Sequence, residues 1–182
     1  QQDCCTFKVG DGVSSFGDFN SIHEAITSLP HEGGKICLLP GRHQGGTELR
    51  NRESVVIEGC GRQSVIVQHP SETPLFTIED CVDVRLKDIY FEDGQVLAIA
   101  GARNRGLEIL GVHTHGRGSA IALVRNQGLR VNDCRFFAEA EPAIIPAADF
   151  PTLRPLAFFG GNTLEIRNNG FICEASDLSL QS

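Results

Sequence analysis

The chain has 182 residues, and its 16 Lys and Arg stand against 23 Asp and Glu, which gives a formal net charge of −7. A length near 180 suits a single domain that buries roughly 70% of the surface of its unfolded chain. The acidic balance argues against a surface for nucleic acid or anionic membrane, and no apolar run approaches the roughly 18 residues of a membrane span. We therefore predict one domain over residues 1–182, without nucleic-acid or membrane partners.

The start of the chain bears on its origin. Gln1, Gln2 and Asp3 resemble neither a signal peptide nor a translational start, and no Met occurs anywhere in the sequence. We expect the 182 residues to be a processed product or a fragment of a larger protein. The compartment, cytoplasmic or secreted, stays open.

Seven cysteines occur, and none of their spacings matches a zinc-binding pair. The sequence favours Cys37, Cys60 and Cys134 as small buried apolar side chains in a reducing compartment. Cys4 and Cys5 are adjacent and poorly placed to bond each other, which leaves them for a neighbouring segment.

Residues 19–30 predict an amphipathic helix. Ser21 and Glu24 have the spacing of a capping box, and Pro30 stops the helix. An apolar stripe follows at positions i, i+3, i+4 and i+7: Ile22, Ala25, Ile26 and Leu29. A helix in this position is expected to cover the open end of the coils that follow.

Internal repeats dominate the rest of the chain. Four segments align without gaps, at residues 75–84, 98–107, 120–129 and 155–164, and residues 55–57 begin an earlier copy. The copies are separated by 29, 23, 22 and 35 residues, so the basic period is about 22. Short strands with polar turns at such a period are typical of a β-solenoid, here with coils over residues 35–173.

The aligned columns predict which side chains point inward. The inward columns are mostly apolar: Val84, Leu107, Leu129 and Leu164; Leu86, Ile109, Val131 and Ile166; Ile89, Val112 and Cys134; Phe91, Thr114, Phe136 and Phe171. The outward column between the first two alternates in charge: Arg85, Glu108, Arg130 and Glu165. Stacked opposite charges disfavour a register slip. Asn104 and Asn126 share a turn column, where amides can bond the next coil and tolerate left-handed dihedrals.

Two further features bear on partners. Residues 139–155 form a Pro-rich insert of about 13 residues beyond the repeat. Two columns predict a flat outward face of small residues: Thr77, Ala100, Ala122 and Ala157; Leu75, Ala98, Ala120 and Pro155. Either the insert packs on this face, or the face forms a subunit contact. No obvious cap follows Cys173, so further coils or a second copy of the chain are expected at that end.

Residues 18–26, 33–41 and 56–61 resemble the opening of pectin-lyase-like proteins of the pectate lyase superfamily, and most nearly uncharacterised bacterial β-helix repeat proteins. The resemblance implies an all-β, single-stranded right-handed parallel β-helix with one N-terminal capping α-helix. It implies no single activity, because the superfamily includes pectate lyases, polygalacturonases, phage tailspikes and structural modules.

Catalytic patterns of this family bear on activity. The Asn-x-Asp, Asp-Asp and Gly-His-Gly patterns expected of polygalacturonase-type hydrolases are absent from the sequence. Acidic residues crowd one coil beside Arg85 and Lys87: Glu79, Asp80, Asp83, Asp88, Glu92 and Asp93. They form either a solvated, salt-bridged turn cluster or a calcium site with Asp83, Asp88 and Asp93 as ligands. No other cofactor is expected.

A second candidate site centres on His113 and His115, which share one face of a strand. The columns place His113 between Tyr90 and Arg135, and His115 between Glu92 and Phe137. With Arg117 nearby, these groups suit sugar stacking and hydroxyl recognition. The alternatives are an ordinary polar surface, a catalytic site or a transition-metal contact.

These observations favour a non-catalytic structural or carbohydrate-binding β-helix module of a larger bacterial protein, with polysaccharide as a partner. A polysaccharide lyase or glycoside hydrolase acting on acidic polysaccharide is the first alternative. An assembly module of a phage-like or surface structure is the second.

Overall fold

A computed structural model describes residues 4–67, 74–92, 97–116, 120–138, 145–147, 150–152 and 157–173. The regular structure in this part of the chain is nearly all β-strand, with α1 (Ile22–Thr27) as its helix. The early strands are β1 (Phe7–Val9), β2 (Gly34–Leu38), β3 (Gly41–Gln44), β4 (Thr47–Arg50), β5 (Glu53–Val67), β6 (Phe76–Glu79) and β7 (Val82–Glu92). The middle strands are β8 (Ile99–Ala102), β9 (Glu108–Leu110), β10 (His113–Gly116), β11 (Ile121–Gln127), β12 (Arg130–Asn132) and β13 (Arg135–Ala138). The last are β14 (Ile145–Ala147), β15 (Phe150–Thr152), β16 (Ala157–Asn162), β17 (Glu165–Arg167) and β18 (Gly170–Cys173).

The strands stack in three parallel series. The first series runs β4, β6, β8, β11, β16. The second joins the N-terminal halves of β5 and β7 to β9, β12 and β17, and the third joins their C-terminal halves to β10, β13 and β18. Each passage of the chain through the three series therefore adds one strand to each of them. No helix in the described part of the chain is long and apolar enough to span a membrane.

The register confirms the predicted columns of the second series. Arg85 pairs with Glu108, Glu108 with Arg130, and Arg130 with Glu165. The side chains follow the pairing, since Arg85 Nε lies 3.0 Å from Glu108 Oε2 and Arg130 Nε lies 3.9 Å from Glu165 Oε2. The alternating charges therefore form a ladder across four strands.

The inward columns are buried as predicted, up to the last coil. The following side chains are at most 2% exposed: Val84, Leu107, Leu129, Leu86, Ile109, Val131, Ile89, Val112, Cys134, Phe91, Thr114 and Phe136. In the last coil Leu164, Ile166 and Phe171 are 39%, 38% and 49% exposed. They are exposed because β17 and β18 have a described neighbour on one side only.

Three turns per coil hold the series together, and each places one residue in the left-handed region. Apart from Gly61, the residues with φ between 52° and 68° fall into three columns: Asn51, Asp80, Arg103 and Arg125; Ser54, Asp83, Gly106, Gly128 and Thr163; Asp88, Gly111, Asp133 and Asn168. Their amides donate to carbonyls of the next coil, as in Asp80 N to Ala102 O at 3.1 Å and Gly106 N to Gln127 O at 2.8 Å. The turn backbone is thus fixed by the neighbouring coil.

The predicted stack of Asn104 and Asn126 lies beside the first turn, and both side chains are 1% exposed. Asn104 Nδ2 donates to Ile78 O at 2.9 Å and to Asn126 Oδ1 at 3.2 Å, and Asn104 Oδ1 accepts from Cys81 N at 3.1 Å. Asn126 Nδ2 donates to Gly160 O at 3.2 Å. The left-handed dihedrals predicted for these two residues belong instead to the arginines that precede them.

The helix is shorter than predicted. Ser21 is its N-cap and its Oγ accepts from Glu24 N at 3.4 Å, but the helix covers Ile22–Thr27 rather than residues 19–30. The N-terminal end is shorter because Phe19 forms a parallel bridge with Val9. The predicted apolar stripe of the helix lies in the core, as Ile22, Ala25, Ile26 and Leu29 are all buried.

Of the two columns predicted for the outward face of small residues, one is largely correct, because Thr77 pairs with Ala100 and Ala100 with Ala122. The other column does not face outward. Leu75, Ala98 and Ala120 are at most 2% exposed, because they lie in the bend before the first series and pack into the core. Ala157 pairs with Ile121 instead of Ala122, since an irregularity in β11 shifts the register by one residue.

The other residues of this prediction fall in or near the insert. Pro155 lies outside the described residues, as does most of the insert at 139–155. Within the insert, β14 and β15 pair as antiparallel strands.

The cysteines also require correction. Cys5 and Cys37 form a disulfide, with Cα atoms 5.8 Å apart, because β1 lies beside β2. Cys37 is therefore not a free buried thiol, and Cys60 is exposed. Cys134 is buried as predicted, and this burial raises the pKa of its thiol to about 11.

Replacing Asn104 by Ala tests the contribution of the amide stack. The change leaves Cys81 N and Ile78 O without their partner inside the core, so we expect the free energy of unfolding to fall by about 2–4 kcal/mol. Urea denaturation measures this change in the free energy of unfolding. Gln127→Ala is the control, because Gln127 is exposed on the same turn and its loss is expected to change the free energy by less than about 0.5 kcal/mol. Equal effects of the two changes would contradict the role of the stack.

Replacing Cys5 and Cys37 together by Ser tests the disulfide. It closes a sequence separation of 32 residues, and removing it is expected to lower the free energy of unfolding by roughly 3–4 kcal/mol. Urea denaturation of the variant and of the parent protein gives the difference. Cys60→Ser, at an exposed free thiol, is the control and is expected to leave the midpoint unchanged. A double variant that unfolds at the parent's midpoint would show that the cross-link does not stabilise the fold.

Candidate functional site

The candidate site lies on the outward side of the third series. Side chains alternate along β10, so Thr114 points into the core while His113 and His115 point outward. The register is as predicted: His113 lies between Tyr90 and Arg135, and His115 lies beside Glu92. Neighbouring strands are about 4.8 Å apart, so each column brings its side chains into contact range.

The two columns form one continuous surface, which we call the histidine face: Tyr90, Glu92, His113, His115, Arg135 and Phe137, with Arg62 at its edge. The rings of His115 and Phe137 stack with centroids 4.7 Å apart and planes 7° apart. The Arg62 guanidinium lies over the Tyr90 ring, 5.9 Å from its centroid. Arg42 Nη1 lies 3.1 Å from Glu92 Oε2. A shallow depression of about 250 Å³ is lined by all members of the histidine face other than Glu92.

Arg62 was not among the residues predicted for the site. Phe137 lies beside His115, as the predicted column had it. No such column predicts Arg62, because β5 shifts its register against β7 between Glu58 and Val65. The predicted residue Arg117 lies outside the described residues.

The electrostatics of the face favour a neutral imidazole at His113. Partial burial holds the pKa of His113 below its ordinary value of 6.5, and the charges of Arg62 and Arg135 lower it further, against an opposing effect of Asp88. A neutral imidazole presents one donor and one acceptor to a ligand. The two arginines, by contrast, give the surface a positive charge that suits anionic groups.

The acidic coil shows a different arrangement. Arg103 holds Asp80 through two hydrogen bonds of 2.7 and 3.0 Å, and Glu79 is paired with Arg50. Asp83 and Asp88 lie in the second and third turn columns, on separate bends of the coil.

The predicted calcium ligands therefore do not gather in the described part of the chain. Among the residues described there, no group of three His, Cys, Asp or Glu side chains could hold a metal ion. The third predicted ligand, Asp93, lies outside that part. The calcium site stays a prediction.

Comparison with known proteins gives structural matches only. No family model matches the chain, and no curated protein matches it. Escherichia coli YbhC matches with a TM-score of 0.70 at 11% identity, over 95% of this chain and 57% of that one. Pectin methylesterase from Aspergillus niger matches with a TM-score of 0.59 at 14% identity, over 94% and 59% of the two chains. A mutant pectin methylesterase in complex with a hexasaccharide matches with a TM-score of 0.60 at 13% identity, over 97% and 68%.

These matches, together with the parallel strand stacking, decide the fold. The chain has a parallel β-helix fold. The parallel β-helix fold that the resemblance implied is therefore confirmed, by matches at identities of 11–14%. This β-helix spans little more than half the length of YbhC and of the Aspergillus niger enzyme.

The pKa of His113 provides a test of the site's electrostatics. Proton NMR of the imidazole across pH 4–9 is expected to show His113 titrating below 6.5, the ordinary value. Arg135→Ala is expected to raise this pKa, because it removes a neighbouring positive charge and part of the burial. Because the pKa of His113 is lower in the folded chain, the unfolded chain binds the proton more readily. Protonation of His113 therefore lowers the free energy of unfolding as the pH falls below 6.5, and above 6.5 it has no such effect.

Arg130→Ala is the matched control, since Arg130 is an outward arginine of the second series that pairs with Glu165. His113→Gln identifies the resonance. A His113 pKa at or above 6.5, or one that responds equally to both arginine changes, would contradict this account of the face.

Proposed function

We propose that this chain is a non-catalytic carbohydrate-binding module, built as a right-handed parallel β-helix with α1 covering its first coil, and that it binds acidic polysaccharide on the histidine face. The observation that carries the proposal is the vertical stacking of aromatic, imidazole and guanidinium side chains on adjacent strands of one outward surface. This surface combines the groups that recognise sugars with groups that recognise carboxylates.

The aromatic members favour a sugar ligand. Tyr90, His115 and Phe137 line the depression, where their rings offer apolar edges on which the apolar side of a sugar ring can pack. His113, with its neutral imidazole, supplies a donor and an acceptor for hydroxyl groups. The depression is open and shallow, which suits a chain that lies along the surface better than a small molecule that needs enclosure.

The charged members favour an acidic sugar. Arg62 and Arg135 both line the depression, and a guanidinium binds a carboxylate through paired hydrogen bonds. Pectin methylesterases are among the structural neighbours, and one of them was solved with a hexasaccharide. Polygalacturonate and methylated pectin are therefore the first ligands to test.

The carboxylates of the face favour binding over glycoside hydrolysis. Hydrolysis of a glycosidic bond uses a pair of carboxyl groups on either side of that bond. Among the described residues, Glu92 is the carboxylate of the histidine face, and Arg42 already pairs with it. Lyase or esterase activity on acidic polysaccharide remains the alternative to be tested, with neutral His113 as its base.

Affinity electrophoresis and calorimetry with polygalacturonate, methylated pectin and a neutral glucan test the proposal. We expect binding to polygalacturonate and weaker binding to the neutral glucan. Tyr90→Ala and Arg135→Ala are each expected to weaken binding by roughly 10-fold or more, because each removes a stacking or charge-assisted contact. Arg130→Ala, on the second series, is expected to leave it unchanged.

The outcomes separate the possibilities. Absence of binding to all three polysaccharides, or equal loss with Arg130→Ala, would overturn the proposal. Release of methanol, reducing ends or unsaturated ends that disappears in His113→Ala would instead establish an enzyme. Binding without product release is the result that we expect.

A further inference from the structure

A cluster of three arginines lies at the first turn, away from the histidine face; we call it the arginine turn: Arg103, Arg105 and Arg125. Arg103 and Arg125 occupy the same turn position on adjacent coils, and Arg105 forms a β-bridge with Gln127 of the next coil. With Asn104 and Gln127, the three arginines line a depression of about 240 Å³. The chain carries a net charge of −7, so such a concentration of positive charge is unusual for it.

The charges of the arginine turn are only partly compensated. Arg103 holds Asp80 through two hydrogen bonds, and this contact raises the pKa of the Arg103 guanidinium. Among the described residues, no ion pair involves Arg105 or Arg125. Like charges stacked on adjacent strands destabilise a sheet, so the fold itself gains nothing from this arrangement.

The backbone conformation adds to that cost. Arg103 and Arg125 have φ of 56° and 55°, in the left-handed region, which costs an L-residue other than Gly or Asn roughly 1 kcal/mol. Asn51 occupies the same column on an earlier coil, so the turn accepts the residue that this conformation favours. An arginine at this position is therefore not required by the fold.

The same backbone is rigid. Arg103 N donates to Val124 O at 3.1 Å, and Arg105 N donates to Cys81 O at 2.9 Å. The buried stack of Asn104 and Asn126 lies directly beneath the turn. A site held by two coils in this way is preorganised, so a ligand that binds it need not order the backbone.

We propose that the arginine turn binds a tetrahedral oxyanion, namely a sulfate or phosphate group, with Arg105 and Arg125 as its main contacts. Guanidinium groups bind such oxygens through paired, charge-assisted hydrogen bonds. Groups that converge from two coils and from neighbouring columns can surround a tetrahedral anion, whereas a planar carboxylate is satisfied by a single guanidinium. Arg103 forms a fixed wall of the site, since Asp80 holds its side chain. The inference does not depend on carbohydrate binding by the histidine face.

Calorimetry and NMR titration at constant ionic strength test this site. The probes are inorganic sulfate, inorganic phosphate and a sulfated oligosaccharide, with chloride as the reference anion. We expect saturable binding of sulfate or phosphate above the chloride background, with amide shifts centred on residues 103–105 and 125–127. Arg105→Gln and Arg125→Gln are each expected to weaken this binding at least 10-fold, while Arg130→Gln leaves it unchanged.

Arg125→Asn separates a binding role from a structural one. Asn is favoured in the left-handed region, so this variant is expected to raise Tm while it abolishes oxyanion binding. A lower Tm would show that Arg125 stabilises the fold, which would contradict the proposal. Polygalacturonate binding at the histidine face is expected to survive in all three variants of the arginine turn, so failure at one site is distinguishable from failure at the other.

The choice of probe identifies the source of the anion. Tighter binding of the sulfated oligosaccharide than of inorganic sulfate would assign the site to an ester group on a glycan, and equal binding would assign it to the free ion. Binding no stronger than that of chloride, or binding unaffected by Arg105→Gln and Arg125→Gln, would overturn the proposal.

Discussion

The register between coils is the constraint on which the rest of this structure depends. Each coil bends at three left-handed turns whose amides donate to carbonyls of the next coil, so corresponding residues lie one strand spacing apart. A slip by one residue would turn every inward side chain of a strand outward. Two interactions oppose such a slip: the ladder of Arg85 and Glu108, and the buried stack of Asn104 and Asn126. The ladder is exposed and the amide stack is buried, so the stack is the stronger determinant.

The same register creates the two surfaces for which we propose binding functions. Tyr90, His113 and Arg135 are separated by 23 and 22 residues in the sequence, yet they lie side by side on adjacent strands. Because each coil contributes one member, the surface extends along the stack, as the proposed binding of a polysaccharide chain requires. The acidic residues of neighbouring coils are largely tied to arginines, as Glu79, Asp80 and Glu92 show. Arg62 and Arg135 at the histidine face and Arg105 and Arg125 at the arginine turn take no part in these pairs, so positive charge is concentrated at the two surfaces although the chain as a whole is acidic.

The sequence predicted those parts of the fold in which the repeat is regular. The pairing of His113 and His115 follows from columns that align without gaps, and so does most of the histidine face. Arg62 was not predictable, because it lies in an irregular stretch of β5, and the disulfide was not, because Cys5 precedes the repeats. A gapless alignment also cannot reveal a change of register, such as the one-residue irregularity in β11 that moves Ala157 out of its predicted column.

Different positions of this fold are constrained to very different degrees. Inward positions must be apolar and of fitting size, as in the column of Leu86, Ile109 and Val131. Turn positions are held through their amides, which bond the next coil whatever the side chain is, and so the first turn accepts Asn51 as well as Arg103. Outward and turn side chains are therefore free to vary while the backbone stays the same. This freedom explains why proteins at 11–14% identity share the fold, and why the chemistry of each must be sought in its outward columns and turns.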